Sequence, residues 1–377
     1  MAGIYVHIPF CKKLCSYCDF YRVVVSGAKN GCIDAIMKEI ELRKNYLGNE
    51  SISTIYIGGG TPSLLSVNEM AAIFNQIYKH FSVKRDSEIT VEANPDDINQ
   101  EYLSGLRSLN VNRISLGIQS WNDADLKMMN RRHDAKQATA ALKNVIKAGF
   151  DNISVDLIYG LPHSTVKDLE SNLDITFSYD VKHLSAYHLT IEKGTVLGKM
   201  LERGAISEID EEESAALFGF LVEKSEAAGF VHYEISNFGK PGYFSRHNSG
   251  YWKQVNYMGV GPSAHSFDGY SRQWNIRAVK RYIDLINEEK GFFEREELDT
   301  RTRFNEYVMT SLRTMWGIDL NYVEMVFDKE EYDYIINVSG KFMEYGLMKM
   351  ENSSILLTRH GKIISDNIIA EFMMVSD

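Results

Sequence analysis

Residues 5–21 read YVHIPFCKKLCSYCDFY, and they carry three of the chain's four cysteines within eight positions. Cys11, Cys15 and Cys18 form a C-x3-C-x2-C set directly after a strand-like run, IYVHI, at residues 4–8. A packing cysteine is ordinarily solitary among apolar neighbours. These are separated by Lys12, Lys13, Ser16 and Tyr17, which is loop chemistry. Three thiols on one loop suit two kinds of metal centre. A structural zinc site wants four protein ligands, and Cys32 or His7 is an available fourth. Cys32 falls in GCIDAIMKEIEL, where Ile33, Ile36, Met37 and Ile40 recur at helical spacing, so a core-facing helix position is expected for it. An iron–sulfur cluster on three thiolates instead leaves one iron open to a small molecule. Lys12 and Lys13 offer positive charge against thiolate and sulfide, and equally suit a solvated loop.

The rest of the chain narrows the setting. It has 377 residues, 44% of them apolar, enough for one large domain and a smaller one. Lys and Arg number 41 against 51 Asp and Glu, a net charge of -10. Such a surface argues against sequence-independent binding to nucleic acid or anionic lipid. The start, MAGIYVHIPF, lacks the basic and long apolar regions of a signal peptide. With so few cysteines the chain is no disulfide scaffold, and a cytoplasmic location is expected.

Outward from the cysteine loop, the hydrophobic pattern repeats strand and helix. Strand-like runs are IYVHI (4–8), TIYIG (54–58), EITVEA (88–93), RISLGI (113–118), NISVDLI (152–158) and HLSAYHL (183–189). Helix-like stretches fall near 31–48, 67–81, 97–109, 134–148 and 165–178, and EEESAALFGFLVEKSEAAGF reads as a further amphipathic helix. The expected fold is α/β, an incomplete (β/α)6 TIM-like barrel with a smaller, mainly helical C-terminal domain. In such folds the site lies at the C-terminal ends of the strands. There the cysteine loop follows the first strand and GGGTP, Gly58 to Pro62, the second. Glu92 ends the third strand and Gln119 follows the fourth. Asp156 lies near the end of the fifth; Tyr187 and His188 lie near the end of the sixth. Polar groups spread over 180 residues thus converge on one rim. The three glycines let backbone approach a ligand closely, but they do not match a phosphate loop.

Together, these motifs resemble the radical S-adenosylmethionine superfamily. The segment YVHIPFC...C.YCDF is similar to its subgroup of oxygen-independent coproporphyrinogen III oxidases and HemW-like haem chaperones. The resemblance implies a [4Fe-4S] cluster on Cys11, Cys15 and Cys18, with the amine and carboxylate of S-adenosylmethionine on the fourth iron. It implies cofactor contacts from Tyr5, Gly59, Gly60, Thr61, Glu92, Gln119, Arg131 and Asp156. Arg131, in MMNRRHD, is the expected partner of the methionine carboxylate, since a guanidinium fork suits a carboxylate. Arg132 stands beside it as the alternative. DLIYGLP also resembles the family.

The segment from His232 to Phe267 is rich in Gly, aromatics and histidine, and is too irregular for one helix. It is expected to cover the barrel mouth. Within it, HNSGYW supplies His247, Asn248, Tyr251 and Trp252. On a helix, His247 and Tyr251 share a face at i,i+4. Ordinary aromatic packing around a satisfied histidine is the bland reading. The pattern HNxxYW resembles the motif associated with haem binding in the HemW-like branch, and His and Tyr are both reasonable axial ligands. His265, in GPSAHSF, is a further candidate ligand or wall residue, with a local hydrogen-bonding role beside its serines equally open. The implied domains are a barrel at 1–230, a connecting and haem-binding region at 231–295, and a C-terminal domain at 296–377 whose end reads as helix, short hairpin and terminal helix.

Two departures separate the branches. Where the oxidases carry a further cysteine two residues after the third, this chain has Phe20, and it reaches Cys11 almost at once. Both favour the chaperone. The implied cargo is haem, and the implied acceptors are haem-requiring respiratory proteins, membrane-associated ones among them. Homodimerisation and transient association with the inner face of the membrane belong to the same expectation. No nucleic-acid partner is expected. The alternatives are radical decarboxylation of coproporphyrinogen III to protoporphyrinogen IX, and a zinc-stabilised scaffold without cofactor chemistry.

Overall fold

A computed structural model of the chain describes residues 1–374. Twelve strands form one sheet. In chain order they are β1 (Ala2–Ile8), β2 (Ile52–Gly59), β3 (Val83–Ala93), β4 (Arg113–Gln119), β5 (Asn152–Tyr159), β6 (His183–His188), β7 (Val231–Glu234), β8 (Asn237–Gly239), β9 (Tyr257–Val260), β10 (His265–Phe267), β11 (Ser271–Asn275) and β12 (Phe293–Glu297). Across the sheet they lie in the order β12-β11-β10-β9-β1-β2-β3-β4-β5-β6-β8-β7. Strands β1 to β6 are parallel neighbours. Five helices cross between them: α1 (Lys29–Leu42), α2 (Val67–His80), α3 (Gln100–Ser108), α4 (Ala135–Lys147) and α5 (Val166–Phe177). Capping boxes start three of them, from Ser66 to Glu69, Asp134 to Gln137 and Thr165 to Asp168.

The two faces of the parallel strands differ sharply. Ile4, Val6, Ile55, Ile57, Ile114 and Leu116 belong to the main apolar core with the helices. The alternate positions carry Tyr5, His7, Thr54, Tyr56, Glu92, Arg113, Ser115 and Asp156. Parallel strands covered by helices on both faces read as continuous apolar runs. These alternate, because their second face lines cavities rather than a second helical layer.

The segment expected to cover the mouth instead extends the sheet at both edges. β9 pairs parallel with β1, while β10, β11 and β12 follow as an antiparallel meander. β8 and β7 extend the other side antiparallel to β6. A buried network from α1 holds the meander. Arg43 donates to the Gly259 carbonyl (2.7 Å), Ser266 Oγ (2.9 Å) and Gln273 Oε1 (3.1 Å). Glu39 accepts from the Gly261 amide (2.8 Å), Asn275 Nδ2 (2.8 Å) and the Tyr282 hydroxyl (2.5 Å). Beyond it, a second apolar cluster from Phe304 to Phe372 surrounds a three-stranded sheet, Ile318–Asp319, Met348–Glu351 and Ser354–Leu357. Among the described residues, no helix is long and apolar enough to cross a membrane.

Candidate functional site

The rim begins with the cysteine loop, which leaves β1 and is pinned from across the sheet. Ser16 donates its amide to the Met129 carbonyl (3.1 Å) and its hydroxyl to the Met128 carbonyl (2.8 Å). Asn130 Nδ2 donates to the Leu14 carbonyl (2.7 Å). These bonds fix Arg131 against the loop. Its Nη1 reaches Cys15 Sγ (3.4 Å), and its Nη2 donates to Asn94 Oδ1 (2.8 Å) and the Gly117 carbonyl (2.7 Å). Its Nε is buried without a partner. Arg132 points elsewhere, into ion pairs with Asp96 (2.7 Å) and Asp97 (2.9 Å). The geometry therefore distinguishes the two adjacent arginines.

The glycine turn is dictated by close approach. A Cβ on Gly58 would sit 2.9 Å from Glu92 Oε1, and one on Gly60 would meet backbone atoms of residues 8–10 at 2.9 Å. Gly59 has φ +112°, and a Cβ there would strike the His7 ring at 2.7 Å. Thr61 donates its hydroxyl to Cys11 Sγ (3.3 Å). Glu92 accepts from the Tyr56 hydroxyl (2.8 Å) and the Gly59 amide (3.0 Å). Burial pushes its carboxyl up to about 7, against the lowering effect of the Tyr56 bond. Asp156 accepts from Ser115 Oγ (3.0 Å) and Ser154 Oγ (3.1 Å), and burial raises its carboxyl too. Gln119 closes β4 with φ 69°, a left-handed conformation uncommon for a residue with a side chain.

Cys11, Cys15, Cys18, Gly59, Gly60, Thr61, Glu92, Gln119, Arg131 and Asp156 all line one cavity of about 400 Å³. Tyr187, His188 and Asn248 border it as well, although His188 spends its Nε2 on a bond with Ser214 Oγ (2.8 Å). Cys11 is buried, whereas Cys15 and Cys18 are half-buried. Burial raises the Cys11 thiol and pushes Cys18 up to about 11; coordination to a cation would deprotonate such a thiol outright. Among the described residues, no group of three or more His, Cys, Asp or Glu side chains is arranged to hold a metal ion. The donor set itself suits an anionic thiolate-held group, because Arg131 bonds the Cys15 thiol and the charge of Arg22 favours the thiolate forms of Cys11 and Cys18. Cys32 lies in the apolar core on α1. His7 has both ring nitrogens engaged, with the Tyr5 hydroxyl (3.0 Å) and the Tyr21 carbonyl (3.0 Å).

A second cavity, of about 570 Å³, adjoins the first through Asp19, Phe20, Gly59 and Glu92. Its walls are aromatic with mixed charge: Tyr5, Tyr251, Trp252, His265 and Phe267, with Arg272 and Arg277 beside Asp19, Glu92 and Glu306. The HNSGYW segment forms the helix α6 (Arg246–Trp252), seated on the polar face of the sheet. Its first amides, from Arg246 and His247, donate to the buried Glu88 carboxylate at 2.9 Å each, a favourable place for negative charge. His247 is buried, bonded through Nδ1 to Thr54 Oγ1 (2.8 Å) and through Nε2 to the Tyr251 hydroxyl (2.8 Å). Burial, with Arg113 nearby, lowers its imidazole to about 3, so the ring is neutral. His247 lines a third cavity, of about 400 Å³, behind the helix; Tyr251 borders both that cavity and the aromatic one.

Sequence reasoning missed Arg113. It is 1% exposed, and its Nε and Nη1 have no hydrogen-bond partner. It faces the cysteine cavity and favours the charged forms of Glu92 and Asp156. The available signal was a cation at the start of an alternating strand, in register with Ser115 and Gly117 on the same face.

Comparison with known proteins places this geometry. The radical SAM superfamily model matches residues 5–175. A protein of Bacillus subtilis named heme chaperone HemW is 34% identical over 99% of this chain and 99% of its own length. A HemW of Lactococcus lactis is 32% identical over 98% and 97%. The bovine radical S-adenosyl methionine domain-containing protein 1, mitochondrial, is 34% identical over 99% of this chain and 87% of its own. The solved coproporphyrinogen III oxidase HemN of Escherichia coli superposes with a TM-score of 0.86 over 99% of this chain and 90% of that one, at 22% identity, which shows the shared α/β fold. On the strength of the full-length relatives, the chain belongs to the radical SAM superfamily and, within it, to the HemW-like branch.

Proposed function

We propose that the chain is a haem chaperone that binds haem and delivers it to haem-requiring respiratory proteins. The observation that carries this reading is the pair of adjoining cavities, one lined by three thiols and polar groups, the other aromatic with both arginines and carboxylates in its walls. The aromatic chamber suits the face of a flat apolar macrocycle, and Arg277 in its wall suits a carboxylate. Relatives named heme chaperone HemW over essentially the whole length support the same reading.

In this proposal the parallel segment is an incomplete (β/α)6 barrel, and Cys11, Cys15 and Cys18 hold a [4Fe-4S] cluster. Bound there, a cluster with an open iron supplies a docking point for S-adenosylmethionine and a source of one electron. The protein's own part is orientation and charge. Arg131 would receive the methionine carboxylate with its unpartnered Nε nearby. The Gly59–Gly60 backbone would meet the amine, while Thr61, Glu92, Gln119 and Asp156 would complete the pocket; Tyr5, expected there from the sequence, lines the adjoining aromatic cavity instead. His247 and Tyr251 belong to the haem side. Cytoplasmic residence, transient contact with the membrane's inner face, a homodimer and membrane-associated acceptors are part of the same proposal.

Phe20 stands where the oxidases have their additional cysteine, and it lines both cavities. That thiol is therefore unavailable, which weighs against coproporphyrinogen turnover. The test uses one cluster-loaded preparation. Haem titration is expected to give saturable binding and transfer to an apo-acceptor. Supplying reductant, S-adenosylmethionine and coproporphyrinogen III is expected to leave the substrate unchanged. Robust decarboxylation would overturn the chaperone reading even if haem also binds. Stoichiometric zinc without iron after anaerobic reconstitution would favour the scaffold instead.

A further inference from the structure

We propose that haem sits in the aromatic cavity beside the cysteine loop and is ligated by His265, with His247 supporting the wall rather than binding iron. This rests on haem being the cargo.

The argument begins with which imidazole is free. An axial ligand needs an unshared nitrogen lone pair directed at open space. His247 has neither to spare, since Thr54 and Tyr251 occupy its two nitrogens at 2.8 Å each. Its ring is also stacked against Tyr56, with ring centres 5.1 Å apart. Turning it toward iron would break two buried hydrogen bonds and leave Thr54 and Tyr251 unpaired. His7, which lines the same aromatic cavity, is equally committed, to Tyr5 and Tyr21. His265 is exposed on β10, lines the cavity with its ring against Trp274 (ring centres 6.2 Å apart), and has no hydrogen-bond partner at either ring nitrogen among the described residues. Partial desolvation against the cavity wall, with Arg272 nearby, lowers its imidazole from the ordinary value.

Position and rigidity agree with that role. β10 is fixed on both sides, by β9 and by β11, where His265 pairs with Trp274. The approach at this point is so close that a Cβ on Gly259 would overlap the His265 carbonyl, at 2.0 Å. The ligand therefore rides on a strand rather than a free loop. Asp19, Glu92 and Glu306 also line the cavity, so its charge leaves one arginine for a porphyrin carboxylate. Arg272 is paired with Glu306 at 2.7 Å, whereas Arg277 donates to the Asp19 carbonyl (3.0 Å) and has no carboxylate partner among the described residues. Arg277 is the side chain placed to receive a propionate. Tyr251 and Trp252 supply wall surface, which gives the HNSGYW helix a part in haem binding without an iron bond from its histidine.

The experiment is an absorption titration of haem into the full-length, cluster-loaded protein, with wild type, His265→Ala, Arg277→Ala and His360→Ala. His360, exposed in the C-terminal unit, is the control. His265→Ala is expected to change the haem spectrum and weaken binding roughly tenfold or more; free imidazole should restore the wild-type spectrum. Arg277→Ala should weaken binding without altering the ligand signature. His360→Ala should match wild type. If wild type binds haem and His265→Ala binds it with the same spectrum and affinity, the His265 site is wrong while the chaperone reading stands. If wild type does not bind haem, the chaperone reading itself fails. Because His265 is exposed, circular dichroism of the variant should be unchanged, which separates loss of a ligand from loss of fold.

Discussion

Glu92 provides a quantitative test of the polar face. It is buried between the Tyr56 hydroxyl and the Gly59 amide, and burial moves its carboxyl from 4.5 to about 7. That displacement corresponds to about 3 kcal/mol in favour of the protonated form. The folded protein thus holds this proton more tightly than the unfolded chain. Its contribution to stability is complete below about pH 4.5 and is lost as the pH rises through about 7. Glu92→Gln makes the neutral shape permanent: the amide oxygen can still accept from Gly59, and its nitrogen can donate to Tyr56. The variant should exceed wild type by about 1 kcal/mol near pH 5 and by about 3 kcal/mol near pH 8.5. Urea unfolding of the metal-free, reduced proteins at both pH values measures this. The pH dependence of the difference between variant and wild type cancels every other titrating group to first order. A difference that stays flat from pH 5 to 8.5 would refute the assignment of Glu92 as a buried, raised carboxyl.

Other perturbations separate neighbouring residues. Anaerobic reconstitution should yield about four irons and four sulfides per chain, lost on replacing Cys11, Cys15 and Cys18 by alanine but retained in Cys32→Ala, as iron analysis and visible absorption would report. Arg131→Ala should weaken S-adenosylmethionine binding by about 10- to 100-fold in calorimetry, the worth of a charge-assisted contact. Arg132→Ala should leave that affinity nearly unchanged, because its partners are Asp96 and Asp97. Gly59→Ala should destabilise by at least about 2 kcal/mol in denaturant unfolding, through its backbone angle and the clash with His7, while Gly27→Ala, which faces open space, should be near neutral.

The parallel strands were legible because each keeps an apolar residue at every second position, and their helices because caps and periodicity agree. β1 through β6 fall on the six runs read from sequence. The meander was not legible. Its strands are three to five residues long, and they are held by Glu39 and Arg43, a pair that by spacing alone reads as an ordinary i,i+4 helix surface pair. Arg43 finds its acceptors more than 200 residues away. The same distance problem hid the commitment of Arg132, the alternative to Arg131, to Asp96 and Asp97. Arg113 was hidden differently. Its chemistry emerges once β3, β4 and β5 lie side by side and bring Glu92 and Asp156 onto its face.

HNSGYW shows how a motif can be read correctly as a helix face and still leave its role open. His247 and Tyr251 do meet at i,i+4, as the spacing implies. Their environment is set from outside the motif. Glu88 anchors the helix N-terminus on β3, and Thr54 on β2 holds the imidazole. Gly3 on β1 leaves room for the ring, since a Cβ there would come within 3.3 Å of it. Removing the imidazole would therefore free the Tyr251 hydroxyl from its partner and loosen a ring that forms a wall of the aromatic cavity. Weakened haem binding in His247→Ala would follow from that movement alone. A change in ligand spectrum, rather than in affinity, is the readout that separates a wall residue from an iron ligand, and on this geometry it should follow His265.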